Sequence, residues 1–282
     1  MELEVWAYAA GRQLDIVSSQ RIRTMWSKHW RDDIWVQLDQ PWDMVVIGGG
    51  ITGAGILREA SRLGLRVLLV EQRDFGWGTS SRSSKLVHGG LRYLATGQIG
   101  LTLASVRERE LLLEEGPGLI DPLGFLLATH KRDRPGRWTY TAGLTVYDLM
   151  ALQWSHKRYR AEEFRMLAPH ITQEGLVGGF RYGDAQTDDA RLTLRVIQEA
   201  VADGGVAINY VKAEELLIDN DEVVGVRLHD QATDRIAEVH ARVVINATGA
   251  WADRLRTQVG SEEVIRPLRG SHLIFSSWRL PL

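Results

Sequence analysis

A glycine triplet at the spacing G-x-G-x-x-G follows the first strongly apolar run of the chain. The run covers residues 44–47, and the glycines are Gly48, Gly50 and Gly53. In this spacing the first glycine allows a tight turn, the second lets the backbone approach a pyrophosphate, and the third lets a helix pack closely on a strand. A helix is predicted over residues 51–63, and its N-terminus offers free N–H groups and the positive end of a dipole. The triplet therefore predicts a strand, turn and helix that bind a dinucleotide.

Glu71 strengthens this interpretation, because it closes a second apolar run over residues 67–70. The two runs and the helix between them predict a βαβ unit. A carboxylate at the end of the second strand can accept hydrogen bonds from ribose hydroxyls. The alternative is a glycine-rich turn between strand and helix, with Glu71 merely solvated.

The segment after Glu71 distinguishes FAD from NAD. An NAD-binding domain would continue into a short crossover helix, whereas residues 76–90 (GWGTSSRSSKLVHGG) are polar and rich in glycine. Such a backbone suits a path along a pyrophosphate and a flavin edge, and a surface loop of solvated serines is the alternative. Downstream, residues 243–249 (VVINATG) predict a buried strand that ends in small residues and leads into a helix at Ala250. That pattern is common in flavoproteins, so the two segments together favour FAD.

Composition limits the other classes of function. The 282 residues include 44% hydrophobic side chains, enough to bury one large or two interleaved domains. Lys and Arg number 34 against 36 Asp and Glu, so the formal net charge of -2 gives no long-range field for nucleic acid. The absence of cysteine excludes a disulfide, a thiolate metal site and a cysteine nucleophile, and we expect no metal cofactor. Redox chemistry would therefore depend on a bound organic cofactor.

The rest of the chain mixes helices and strands. Helices are predicted over residues 26–40, 100–115 and 188–203, and strands over residues 206–210, 223–228 and 243–246. Residues 125–182, with clustered Arg, Trp and Tyr, interrupt the alternation and are assigned to a second lobe. Asp188 and Asp189 open one helix, so we interpret them as an N-cap and a first-turn charge and not as metal ligands or an acid–base pair.

Two long segments resemble the FAD-dependent glycerol-3-phosphate dehydrogenase family. They are residues 47–55 (IGGGITGAG) and residues 79–94 (TSSRSSKLVHGGLRYL). Shorter matches follow in the same order at residues 144–148 (LTVYD), 188–192 (DDARL), 246–251 (NATGAW) and 270–273 (GSHL). The resemblance spans residues 42–275, and members of that family continue well past this length. We therefore expect the chain to be a fragment or a truncated product.

The resemblance implies an α/β fold, namely a Rossmann-like FAD-binding domain with an interleaved and incomplete α+β substrate domain. The predicted division, in chain order, is an N-terminal extension over residues 1–42, a first part of the FAD-binding domain over 43–125, a first part of the substrate lobe over 126–185, a second part of the FAD-binding domain over 186–258, and the start of a second substrate segment over 259–282.

The resemblance also implies a reaction, the oxidation of sn-glycerol 3-phosphate to dihydroxyacetone phosphate. Hydride would pass from C2 to flavin N5 and the electrons onward to a membrane quinone. By resemblance, Arg92 would bind the substrate phosphate and Tyr93 would line the pocket, the alternative being a surface Arg with a packing Tyr. His272 is the candidate base for the C2 hydroxyl proton, because imidazole titrates near neutral pH, and a hydrogen-bonded structural His is the alternative.

The family's cofactor contacts carry over to further positions of this sequence. His88 would lie near the flavin, and Gly249 would make the closing contact with FAD. The full set of predicted cofactor-binding residues is Gly48, Gly50, Gly53, Glu71, Thr79, Ser80, Ser84, Lys85, Leu86, His88 and Gly249.

Two other functions compete with this one. Another flavin oxidase of the same broad fold would act on an amino acid or a hydroxy acid and release hydrogen peroxide, and a truncated FAD-binding module would be inactive. No run approaches the ~20 apolar residues that a spanning helix needs, so we expect a cytoplasmic protein, with peripheral attachment to the inner face of the cell membrane as an alternative. The basic run over residues 131–137 is assigned to a solvated or lipid-facing loop and not to nucleic acid. A homodimer is one alternative for the oligomeric state.

Overall fold

The computed structural model of the chain describes residues 26–134, 136–152, 154–276 and 278–279, with Arg92 and Ala95 described by their backbone alone. These residues form two compact units. Unit 1 contains the described residues up to Thr79 together with Thr193–Arg266, and unit 2 contains Ser80–Leu192 and the described residues from Pro267 onward. Residues 1–25 of the predicted N-terminal extension lie outside the described residues.

The strands of the described chain, in order, are β1 (Trp42–Ile47), β2 (Val67–Val70), β3 (Leu86–Val87), β4 (Ile120–His130), β5 (Lys157–Arg160), β6 (Leu176–Thr187), β7 (Val206–Ile208), β8 (Val211–Asp219), β9 (Glu222–Asp230) and β10 (Ile236–Asn246). The α-helices of the described chain are α1 (Trp30–Trp35), α2 (Ile51–Arg62), α3 (Leu91–Ala95), α4 (Ile99–Glu115), α5 (Arg137–Ala151), α6 (Ala161–Leu167), α7 (Asp189–Ala202) and α8 (Asp253–Arg256).

Unit 1 is built on a six-stranded sheet with the order β7-β2-β1-β10-β9-β8. Within this order, the four strands β7, β2, β1 and β10 pair in parallel. The pairs β10–β9 and β9–β8 are antiparallel. The helix α2 connects β1 to its parallel neighbour β2, as the glycine triplet and the two apolar runs predict. The predicted α/β class is therefore confirmed.

Alternation along β1 and β2 gives unit 1 a core on each side of the sheet. On one side, Val46 and Leu69 pack with Leu57 of α2 and Ile197 of α7. On the other side a second core contains Val45, Leu68 and Val226 of β9, with the aromatic and aliphatic side chains of α1 packed against it. The sheet thus presents the carboxyl ends of β1, β2 and β7 at one edge, where ligands of α/β folds commonly bind.

Unit 2 is built on an antiparallel sheet in which β6 is the central strand. Along one side it pairs with β4, and along the other with β3 near its C-terminal end and with β5 near its N-terminal end. This pairing draws residues 80–125 into unit 2, so the compact units divide at Thr79, earlier than the predicted boundary at residue 125. The predicted functional division of the chain stays a prediction.

Most predicted elements agree with the structure, and two differ. The helix predicted over residues 26–40 is shortened to α1, because residues 36–40 form turns and Pro41 disfavours a helical Gln40. The strand predicted to be buried near residue 243 is present as β10, but Val243 is 46% exposed. Val243 is level with Met44 of β1, but unlike Met44 it is not among the side chains that pack against the core under α2.

The core formed with α2 gives a first prediction. Leu57 is fully buried and Leu63, just past the same helix, is 79% exposed. We expect Leu57→Ala to lower the free energy of unfolding by roughly 2–5 kcal/mol, since it opens a cavity against the sheet. We expect Leu63→Ala to change it by less than about 0.5 kcal/mol. Urea unfolding checks both values, and equal costs for the two variants would contradict the packing of α2.

Candidate functional site

The turn between β1 and α2 leaves no room for side chains at two of its glycines. Gly48 has φ +117°, and a Cβ atom there would lie 2.5 Å from the carbonyl oxygen of Ala247. A Cβ atom on Gly53 would lie 1.9 Å from the carbonyl oxygen of Gly48. The Gly48 N–H donates to the carbonyl of Val70 at 2.8 Å, which ties the turn to the end of β2. The glycines therefore bring the first turn of α2 directly against the ends of two parallel strands.

The N-terminus of α2 is suited to an anion. Its N-cap residue is Gly50, which has an extended backbone and no side chain that could cap the helix. The first turn of α2 carries no acidic residue. The N–H groups of a first helical turn and the positive end of the helix dipole favour a phosphate.

Glu71 holds the turn from the side of β2. One of its carboxylate oxygens, Oε2, accepts a hydrogen bond from the Gly49 N–H at 2.8 Å, and the other, Oε1, accepts one from the Arg73 N–H at 2.8 Å. Because each carboxylate oxygen can accept two hydrogen bonds, Glu71 retains capacity for a hydroxyl donor. Glu71 is thus fixed by two backbone bonds next to the glycine turn.

Asn246 at the end of β10 has a role that the sequence did not predict. The side chain of Asn246 donates to the carbonyl of Ala252 at 2.8 Å and accepts from the Thr248 hydroxyl at 2.7 Å. Gly249 follows with φ +58° and begins a short 3-10 helix, Gly249–Trp251. The Trp251 ring lies 6.2 Å from the Trp77 ring, centroid to centroid. Asn246 lies in the segment 246–251 that matches the family, but that match did not show that the Asn246 side chain shapes the loop.

Residues 80–85 of the polar segment lie in unit 2, and Asp189 anchors them. The Lys85 ammonium and the Ser83 hydroxyl both donate to the Asp189 carboxylate, the latter at 2.7 Å. Burial opposes ionisation of Asp189, but these hydrogen bonds outweigh it and lower its pKa to about 2. The neighbouring Asp188 accepts a hydrogen bond from the Arg191 N–H at 3.2 Å, as an N-cap residue does. Asp189 is in the first turn as predicted, and its second role as an anchor was missed.

The predicted cofactor residues between Thr79 and Leu86 lie in different local structures. Thr79 and Ser80 begin the 3-10 helix Thr79–Ser81, Ser84 is exposed, and Leu86 in β3 pairs with Gln186 of β6. Lys85, a predicted cofactor contact, has φ 58° and forms the ion pair with Asp189.

The segment His88-Gly89-Gly90 leads into α3, which carries Arg92 and Tyr93. Gly90 has φ +77°, and its carbonyl accepts a hydrogen bond from the Tyr93 N–H at 2.8 Å. The rings of His88 and Tyr93 lie 6.1 Å apart, edge to face. Arg92 is placed in α3 by its backbone. The turn therefore brings together two predicted site residues, His88 and Tyr93.

His272 is placed differently from the other candidates. It is exposed and lies in residues 261–276, which form no helix or strand. Among the contacts of the described residues, none joins His272 to Tyr93 or His88, so its role as base stays a prediction.

Neither a metal cluster nor a membrane-spanning helix occurs among the described residues. No group of three or more His, Asp or Glu side chains could hold a metal ion there. Within that part of the chain, no helix is both long enough and apolar enough to cross a bilayer.

The Asp189 anchor gives a prediction of pH dependence. An unfolded aspartate has a pKa of about 3.9, and the pKa of Asp189 is lowered to about 2. Because folding lowers this pKa, Asp189 contributes stability above pH ~4 and loses it as the pH falls towards 2. We expect Asp189→Asn to lower the unfolding free energy at neutral pH by about 2 kcal/mol and to flatten its acid dependence.

Urea unfolding across this pH window measures the effect. The control is Asp188→Asn, which keeps an oxygen acceptor for the helix N-terminus and should behave like the unmodified chain. An identical acid dependence for Asp189→Asn and the unmodified chain would contradict the anchor.

Comparison with known proteins identifies relatives of this architecture. The family model "FAD dependent oxidoreductase" matches residues 43–281. The chain is 40% identical over 250 residues to an aerobic glycerol-3-phosphate dehydrogenase of Staphylococcus saprophyticus, covering 86% of this chain and 45% of that protein. The chain thus spans less than half the length of this curated relative.

Solved structures give the same result. The glycerol-3-phosphate dehydrogenase of Bacillus halodurans, crystallised in complex with FAD, superposes with a TM-score of 0.66 at 36% identity, covering 84% of this chain and 40% of that one. The L-proline dehydrogenase of P. horikoshii superposes with a TM-score of 0.60 at 22% identity, covering 80% and 57%, and so shares the fold. The resemblance predicted from the sequence is confirmed, and this chain belongs to the FAD-dependent oxidoreductase family.

Proposed function

We propose that this chain binds FAD, with its adenosine and pyrophosphate held by the turn between β1 and α2. The observation that carries the proposal is the tight turn at Gly48 and Gly53, which sets the N-terminus of α2, with glycine as its N-cap residue, beside the carboxylate of Glu71. The helix end suits the pyrophosphate, and the remaining acceptor capacity of Glu71 suits a ribose hydroxyl. The FAD bound to the Bacillus halodurans structure supports the same choice of cofactor.

The other predicted cofactor contacts are Gly249 after β10 and residues of the polar segment around β3. Gly249 follows β10 in unit 1, and its φ of +58° with open space where a Cβ atom would lie suits a close backbone approach. Ser84, Lys85, Leu86 and His88 belong to unit 2, and their contact with the cofactor rests on the family resemblance. When bound, FAD supplies the acceptor for a hydride, which no amino-acid side chain can provide.

The substrate we propose is sn-glycerol 3-phosphate, oxidised at C2 to dihydroxyacetone phosphate. Its support is the name of the relatives at 36–40% identity, whereas the amino-acid dehydrogenase at 22% identity shares only the fold. In this proposal Arg92 binds the phosphate dianion, Tyr93 lines the pocket, and His272 takes the proton of the C2 hydroxyl. The ring contact of Tyr93 with His88 supports a shared location for these two residues.

An anaerobic titration tests the proposed substrate. The 282-residue chain is loaded with FAD and mixed without oxygen with glycerol 3-phosphate, and the visible absorption of the flavin is followed. Bleaching by glycerol 3-phosphate and not by L-proline or glycine is the expected result. Bleaching by an amino acid alone would favour the competing oxidase, and bound but unreduced flavin with every substrate would favour the inactive module.

A pair of glycines in one helix tests the cofactor site. A Cβ atom on Gly53 would collide with the Gly48 carbonyl, whereas Gly55 has open space around it. We expect Gly53→Ala to weaken FAD binding at least about tenfold, because it pushes the helix N-terminus away from the pyrophosphate. Gly55→Ala should bind FAD normally and unfold at an equal or higher temperature.

Quenching of flavin fluorescence measures both affinities. Glu71→Gln serves as a second variant that keeps the backbone turn and weakens the acceptor. Equal affinities for Gly53→Ala and Gly55→Ala would contradict the proposed site.

We also propose that the chain associates with a membrane surface and passes electrons to a quinone. The support is an apolar surface on unit 2 formed by α5 and the residues after it, where Trp138, Leu149, Leu152 and Trp154 are all 63–92% exposed. The basic residues Lys131, Arg132 and Arg134 before α5, and Arg137 at its first position, are also exposed. Large exposed aromatic and aliphatic side chains beside cationic ones are typical of surfaces that enter a lipid interface.

Lipid binding is tested with matched leucines. We expect Leu149→Ser to weaken sedimentation with phosphatidylglycerol vesicles roughly tenfold or more, since burying a leucine contributes about 1.5–3 kcal/mol. Leu63→Ser changes a leucine of similar exposure in unit 1 and should leave binding unchanged. Equal loss in both variants, or no binding by the unmodified chain, would contradict the proposed surface.

A further inference from the structure

A buried polar network lies beneath the turn that carries His88 and Tyr93. Its members are Arg109 of α4, Tyr147 of α5 and Asp184 of β6, whose exposures are 5%, 1% and 7%. The Arg109 guanidinium donates to the Tyr147 hydroxyl at 2.9 Å and to the Asp184 carboxylate at 3.0 Å. The three side chains thus join two helices to the central strand of unit 2.

Gly89 rests directly on this network. Its N–H donates to Oδ1 of Asp184 at 2.9 Å. A Cβ atom on Gly89 would lie 2.2 Å from the Tyr147 hydroxyl oxygen and 2.7 Å from Val106, so the backbone is in close contact with the network on that side. The position of the Gly89 peptide is therefore set by a buried carboxylate and a buried phenol.

The network keeps a defined protonation pattern. Burial, reinforced by the negative charge of Asp184, raises the pKa of Tyr147, so its hydroxyl retains the proton. Arg109 is held between two carboxylates, because Glu110 accepts from the same guanidinium at 2.6 Å. The oxygen of Asp184 thus accepts hydrogen bonds from Gly89 and Arg109 at the same time.

The position of this turn matters for function because the turn carries His88 and Tyr93. His88 precedes Gly89 directly, and the αL conformation of Gly90 starts α3, where the Tyr93 ring contacts His88. A displacement of Gly89 would move both rings together, and misplacement by about 1 Å can reduce the efficiency of a site ~100-fold. Buried ion pairs contribute little net stability but can fix one arrangement among several.

We propose that Asp184 is a positioning residue which, through the Gly89 peptide, orients His88 and Tyr93 for the bound flavin and substrate. The effect on flavin and substrate rests on the proposed function, whereas the control of the turn by Asp184 rests on the contacts within unit 2. Asp184 touches neither ligand in this proposal.

A matched buried carboxylate provides the control. Asp148 is 1% exposed in the same unit and accepts hydrogen bonds from Ser155 and His156, so it holds the turn after α5 and not Gly89. Asp184→Ala and Asp148→Ala each remove a buried carboxylate with several donors. The isosteric variant Asp184→Asn keeps an oxygen acceptor for Gly89 and should recover part of the effect, and it also serves where Asp184→Ala fails to fold.

Two measurements on the 282-residue chain separate this inference from the proposed function. Without cofactor, amide hydrogen exchange of residues 86–95 should become at least about tenfold faster in Asp184→Ala and less so in Asp184→Asn, and should stay unchanged in Asp148→Ala. With FAD, the Asp184 variants should shift the visible absorption maximum of the flavin and raise its dissociation constant roughly tenfold, whereas Asp148→Ala should lower only the melting temperature.

The outcomes are distinct. Unchanged exchange over residues 86–95 in both Asp184 variants would overturn the positioning role whether or not FAD binds. Faster exchange with an unchanged flavin spectrum and affinity would also overturn it, because the turn would then move without consequence for the site. If the unmodified chain binds no FAD, the proposed function fails, and faster exchange in the Asp184 variants alone would still support the control of the turn by Asp184.

Discussion

The contact between Gly53 and the carbonyl of Gly48 determines how the rest of unit 1 is arranged. A Cβ atom on residue 53 would lie 1.9 Å from that oxygen, so α2 can approach the end of β1 only because residue 53 is glycine. That approach places the Gly49 N–H where Glu71 accepts it, and brings the Gly48 turn against Ala247 after β10. The ends of three neighbouring parallel strands are therefore joined by backbone contacts that larger side chains would exclude.

One short stretch of unit 2 holds residues 83–89 of the polar segment in place. The stretch runs from the end of β6 into α7. Asp184 accepts from Gly89, residues 185 and 186 pair with β3, the Thr187 N–H donates to the Lys85 carbonyl, and Asp189 accepts from Ser83. Residues 184–189 thus hold this segment at four successive points. The segment needs such support because its glycines and serines give it little propensity to fold alone.

The glycine spacing and the apolar runs predicted β1, α2 and β2 well, because local sterics and alternation determine such elements. The sequence predicted Asp189 at the start of a helix. It could not show that Lys85 and Ser83 bind Asp189, because Lys85 and Asp189 are 104 positions apart in the chain and no local pattern links them. The same holds for Asp184 and Arg109. Val243 was predicted to be buried from its apolar neighbours, but its exposure depends on whether another element covers that face, which a strand pattern does not encode.

In the proposed function, the β1–α2 turn recognises the adenosine and pyrophosphate half of FAD. Competition calorimetry with ADP-ribose tests it most directly, because ADP-ribose carries that half without the flavin. We predict that ADP-ribose displaces FAD from the unmodified chain, that FMN does so far less effectively, and that Glu71→Gln weakens ADP-ribose binding. Displacement by FMN with no competition from ADP-ribose would contradict the claim, because recognition would then lie with the flavin and not with the glycine turn.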